Sequence, residues 1–180
     1  MEESATKDLI GVASSHDMIA YVQTHAQLPN LQFAVADAGN LAFHSEFDLI
    51  VSFNGLHWLP DQDPPFRGIR TALKPSARAQ LRLVPDGERK SLETILEETR
   101  RTAKWAAYYK NFRDPYLHLT PEQHAQAAER NGLRVQLIYT ALKSWDFQTC
   151  QNFFAFGQVT FVQWTRALPE SKKAAFITMS

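Results

Sequence analysis

Residues 47–53, Phe-Asp-Leu-Ile-Val-Ser-Phe, constrain the fold more than any other stretch. The run is almost continuously apolar, opened by Asp48 and followed by a loop, Asn54-Gly55-Leu56-His57-Trp58. Such a pattern suits a parallel strand covered on both faces, not a strand with one wet side. Parallel strands need crossover connections, and those are usually helices. The flanking sequence supplies them. Strands are expected at 8–13, 31–36 and 78–84, and a further one at 133–139 that runs on towards 147. Helices are expected at 17–26, 65–73 and 92–109. Another starts at Thr120-Pro121-Glu122-Gln123, where Thr caps and Pro takes the first position. Asn131-Gly132 ends it, and an aromatic-rich helical tail follows from 153 to 176, broken at Pro169. Strands alternating with helices predict an α/β fold with a mostly parallel sheet flanked by helices.

A length of 180 residues suits one domain, 1–180. Its 19 basic and 19 acidic residues balance, which argues against nucleic acid as the main partner. Neutrality also removes a barrier to self-association, so a homodimer is expected. The one cysteine, Cys150, can form no internal disulfide and reads as buried or inert. No apolar run is long enough to span a membrane, and the acidic start, Met1-Glu2-Glu3-Ser4, does not read as a signal peptide. The expectation is a cytoplasmic protein with no membrane partner.

In open α/β sheets, ligands sit beyond the carboxyl ends of the strands. The positions to interrogate are therefore Ala13-Ser14, Asp37-Ala38, Asn54 to Trp58, and Val84-Pro85. No glycine-rich loop of the kind that lets backbone approach a phosphate or nucleotide occurs, because the seven glycines are scattered. His57 has no second ligand at metal spacing, so no metal is expected. Ser14-Ser15-His16-Asp17 holds the letters of a hydrolase triad, but adjacent residues cannot adopt triad geometry.

In order along the chain, several segments resemble class I S-adenosylmethionine (SAM)-dependent methyltransferases. They are Gly11-Val12, Met18-Ile19-Ala20, Val35-Ala36-Asp37-Ala38, residues 47–58, Leu73-Lys74-Pro75 and Leu81 to Pro85. The resemblance is greatest to the branch that includes trans-aconitate methyltransferase. It implies a Rossmann-like fold and SAM as cofactor, with methyl transfer to a small molecule that is a carboxylic acid. It implies that Asp37 and Ala38 meet the adenine, that Asn54 and Gly55 lie under the methionine end, and that His57, Trp58 and Arg113 face the substrate. Residues 8–85 would form the cofactor side, 86–118 a cap over the substrate, and 119–180 the C-terminal part. The family's first strand with its glycine loop, and its last strand, have no counterpart in these residues. Ala13 stands where the family has a ribose-binding acid. Lys74-Pro75-Ser76-Ala77 stands where it has Lys-Pro-Gly-Gly, and a glycine there would supply positive φ. The alternative expectation is an inactive, truncated methyltransferase-like domain that acts as an interaction or regulatory module.

Other features have plainer readings. Asp37 is also placed to cap the turn after its strand. His57-Trp58 reads either as a ligand wall or as a loop aromatic on the sheet edge beside an exposed histidine. His16, His25, His44, His118 and His124 read as solvated. Trp105, Tyr108, Tyr109, Phe112 and Tyr116 read as core, or as a cap whose Arg100, Arg101 or Arg113 holds a carboxylate. Phe153, Phe154, Phe156, Phe161 and Trp164 would form an association patch if left uncovered.

Overall fold

The computed structural model describes residues 8–179, so the acidic start at 1–4 lies outside the described residues. Four strands carry the α/β pattern: β1 (Leu9–Ala13), β2 (Leu31–Val35), β3 (Phe47–Phe53) and β4 (Leu73–Arg82). The helices are α1 (His16–His25), α2 (Asp63–Ala72), α3 (Leu92–Arg101), α4 (Pro121–Arg130), α5 (Cys150–Thr160), α6 (Val162–Thr165) and α7 (Glu170–Ile177). Both crossovers that the sequence requires are present, since β1 pairs β2 in parallel and β3 pairs β4 in parallel. The two ladders are separate two-stranded sheets. The arrangement is the α/β fold that the alternation of elements predicts, of the Rossmann-like kind that the resemblance implies.

Local chemistry sets most element ends. The Ser15 side chain accepts from the Met18 N–H to start α1, and Ser91 does the same for Thr94 at α3. Thr120 and Gln123 form a reciprocal capping box at α4. β4 starts earlier than its alternating pattern suggests, and it takes in Lys74 to Ala77. Phe47 pairs with Leu73 and Leu49 with Arg78, so β4 bulges between them. Ser76 sits at φ 65°, the left-handed region where a glycine would be at ease.

Two expectations about elements are corrected. The helix expected at 92–109 stops at Arg101, where Thr102 turns extended and its hydroxyl donates to the Thr99 carbonyl. A short 3₁₀ turn, Ala106–Tyr109, then brings Trp105 and Tyr109 inward. The strand expected at 133–139 is irregular, as is its continuation. Leu133 and Val135 pack inward, but Leu137 to Tyr139 stay exposed, with no described strand pairing them.

Two cores result. One joins Leu96, Trp105, Tyr109 and Tyr116 to Phe161, Trp164, Leu168, Phe176 and Ile177. Phe153, Phe154 and Phe156 pack against it, so the aromatic tail is spent on intramolecular packing and does not form a free association patch. The second core places Phe66, Ile69, Ala127 and Ala128 under Ile50, Ala79 and Leu81 of the β3–β4 ladder. No helix among the described residues is long and apolar enough to cross a membrane.

Candidate functional site

The carboxyl ends of the strands present the residues that the sequence singles out. After β2, Asp37 is exposed, and its carboxylate accepts from the Gly39 N–H at 2.8 Å. That bond caps the 3₁₀ turn Ala38–Asn40 and leaves acceptor capacity on an exposed carboxylate. Ala38 packs against the second core. After β3, Asn54 takes a left-handed backbone at φ 60°. Its N–H donates to the Arg82 carbonyl, and its side-chain oxygen accepts from Arg82 Nε at 3.2 Å. The Arg82 guanidinium also lies over the Phe53 ring at 5.3 Å. Asn54 and Gly55 are both exposed.

His57 is not the exposed histidine of the sheet-edge reading. It is 2% exposed, and its Nδ1 accepts from the Val84 N–H at 3.2 Å. The bond places the ring proton on Nε2. The Tyr116 hydroxyl donates to the Val84 carbonyl at 2.9 Å, and the Leu117 N–H donates to the His57 carbonyl at 2.9 Å. The end of β4 thus ties the loop after β3 to the segment around Tyr116. Burial first, and then the neighbouring His124, lowers the His57 pKa to about 4. His124 is likewise buried, not solvated, and burial lowers its pKa too. Both rings are neutral near pH 7.

Trp58 is half-buried, edge-on to Tyr116 at 5.3 Å and to Trp164 at 5.9 Å. The structure therefore brings His57, Trp58 and Tyr116 together. Arg113 is exposed on the loop that delivers Tyr116. Arg100 is not free to meet a ligand carboxylate, because Glu97 holds it at 2.6 Å, and Arg101 binds the same carboxylate at 2.9 Å.

That Glu97 network is the feature sequence reasoning missed. Glu97 is 2% exposed and accepts from Trp164 Nε1 at 2.7 Å. Burial pushes its pKa up, but the hydrogen bonds from Arg100 and Trp164 outweigh this and hold it below the usual range. Burial raises that of Asp114, which pairs with His118 at 3.0 Å. The Glu97/Arg100 spacing was visible on a helix, but nothing in sequence linked it to Trp164, 67 positions on. Cys150 is exposed at the start of α5, which rules out the buried alternative given for it.

Residues 1–76 match the methyltransferase-domain family. The chain is 23% identical over 177 residues to a putative methyltransferase, 235L, of Invertebrate iridescent virus 6, covering 97% of this chain and 65% of that protein. It is 28% identical over 111 residues to juvenile hormone acid O-methyltransferase of Bombyx mori, covering 60% of this chain and 40% of the relative. The chain therefore spans less than two-thirds of either relative. An S-adenosylmethionine-dependent methyltransferase structure from Mesorhizobium loti superposes with a TM-score of 0.52 at 18% identity, covering 71% of this chain and 63% of that one. In fold, the chain is like class I SAM-dependent methyltransferases.

Proposed function

We propose that this chain serves SAM-dependent methyl transfer to a small molecule bearing a carboxylic acid. The observation that carries the reading is that Asp37, after β2, and Asn54, after β3, are each exposed beyond their strand's carboxyl end. The methyltransferase match over residues 1–76 includes both positions. The acid acceptor is supported by the name of the Bombyx mori relative.

The residues present fit part of the cofactor. Asp37 has acceptor capacity for an exocyclic amine, beside Ala38, and Asn54 and Gly55 would lie under the methionine end. Ala13, at the end of β1, brings no carboxylate for ribose hydroxyls. When bound, the cofactor supplies a methyl group on a sulfonium. This chain's residues would align the acceptor and exclude water. Trp58 would form the substrate wall, Arg113 would pair with the acid, and residues 86–118 would act as the cap. His57 would act from behind the wall, holding the loop through Val84.

Calorimetric titration of SAM and of its demethylated product into the purified chain tests the reading. Binding is expected, and Asp37→Ala should weaken it by about tenfold or more, the effect of losing a hydrogen bond to a charged group. No heat and no thermal shift at millimolar ligand would defeat it. That outcome would favour the second reading, an inactive interaction module, which the missing ribose acceptor at Ala13 supports.

A further inference from the structure

Residues 110–115 form a loop with both ends pinned and one acid facing inward. At its start, the Tyr109 hydroxyl donates to the Trp164 carbonyl at 3.2 Å. At its end, the Tyr116 hydroxyl donates to the Val84 carbonyl at 2.9 Å. Both tyrosines are buried, whereas Lys110, Asn111 and Arg113 are exposed. Phe112 lies under the Arg100 guanidinium at 4.9 Å. Asp114 is the inward acid, and its carboxyl reaches that of Glu97 on α3 closely enough for one to hydrogen-bond the other.

Two carboxyl groups in contact hold one proton between them far more readily than two charges. Their surroundings decide which of them carries it. Glu97 accepts from Arg100, Arg101 and Trp164, and all three favour its charged form. Asp114 has weaker partners. It accepts from the Tyr116 N–H at 2.9 Å, and His118 Nε2 lies 3.0 Å from its other oxygen. The Arg100 charge also acts on it from α3. Burial is the largest influence and raises the Asp114 pKa, Glu97 adds to the rise, and the Tyr116 N–H and His118 oppose it. The proton therefore belongs to Asp114.

We infer that Asp114 is a proton-operated latch. Protonated, it donates to Glu97 and holds the 110–115 loop against α3. When it loses that proton to solvent, Glu97 repels it and the loop opens between its two tyrosine anchors. Arg113, the preceding residue, moves with it. The loop lies within the segment proposed as a cap, but the latch does not depend on the methyl-transfer reading. A carboxyl whose folded-state pKa is raised contributes fully below its ordinary value, and that contribution is lost as pH rises through the folded value. The buried His57 and His124 act with the opposite sign, because their pKa values are lowered.

Amide hydrogen exchange of the full chain, read on the 110–116 peptide from about pH 5 to 8 and corrected for intrinsic exchange, tests the latch. Protection in the parent should fall by about tenfold or more as pH rises, the scale of a hydrogen bond to a charged group. Asp114→Asn keeps a donor for Glu97 at every pH, so its loop should stay protected and lose the dependence. Asp114→Ala should show low protection throughout. His118→Gln removes the other titrating partner and should leave the parent's dependence in place. Parent protection that does not change with pH, or an Asp114→Asn variant that keeps the parent's dependence, would overturn the inference. So would a dependence that disappears in His118→Gln, because the histidine would then be the titrating group.

Discussion

At the residue scale, His57 shows how a loop residue becomes structural. It follows the exposed Asn54 and Gly55 by two or three positions, but with Leu56 it turns inward, and the ring is enclosed and bonded to the Val84 N–H. His124 is buried nearby, and its ring nitrogens meet no hydrogen-bond partner among the described residues. Both folded-state pKa values lie below the ordinary 6.5. The stability these neutral rings contribute is present above pH 6.5 and is lost as pH falls towards the folded value of about 4 for His57. Chemical denaturation between pH 7 and 4 should show the midpoint falling across that window. His57→Ala should cost about 2–3 kcal/mol at pH 7, from the cavity and the orphaned Val84 N–H. It should also flatten the pH dependence in part, because His124 still titrates.

At the element scale, the bulge in β4 gives a cleaner test. Ser76 holds φ 65° without a glycine's freedom. A left-handed residue with a Cβ costs about 1–2 kcal/mol. Its side chain is exposed, so no packing opposes a change. Ser76→Gly should therefore raise stability by about 0.5–1 kcal/mol, read as a higher urea midpoint at unchanged slope. The resemblance to a Lys-Pro-Gly-Gly turn left two outcomes for this turn, a different path or strain, and the structure has Ser76 at positive φ. The irregular 133–147 segment was not legible in the sequence, because an apolar period-2 pattern describes a strand's faces and says nothing of whether a neighbour is there to pair with it.

At the scale of the whole molecule, burial is uneven. The two large cores take in β3, β4 and the chain from α2 onward. In β1, α1 and β2 the one fully buried residue is Ile19. A two-stranded ladder with so little buried apolar area has weak support of its own. Amide hydrogen exchange should therefore find residues 9–35 opening at lower free energy than α3 and the Trp105–Trp164 core. Uniform protection across both regions would contradict that division. Asp37 follows directly on the less protected unit, so a ligand that bridges Asp37 and Asn54 should raise protection in 9–35 most.

The sequence by itself determined the alternation β1–α1–β2 and β3–α2–β4, the cap at Thr120, and the placing of Asp37, Asn54 and Trp58 after their strands. These follow from chemistry within a few residues: hydrogen-bonding side chains at helix starts, and apolar period along strands. Tertiary structure alone decided that His57 and His124 are buried, that Glu97 binds Trp164 and that the aromatic tail closes on α3. It also decided that one face of the β3–β4 ladder stays open. Each of those depends on partners far apart in the chain, and periodicity carries no record of which distant surface will meet a given face.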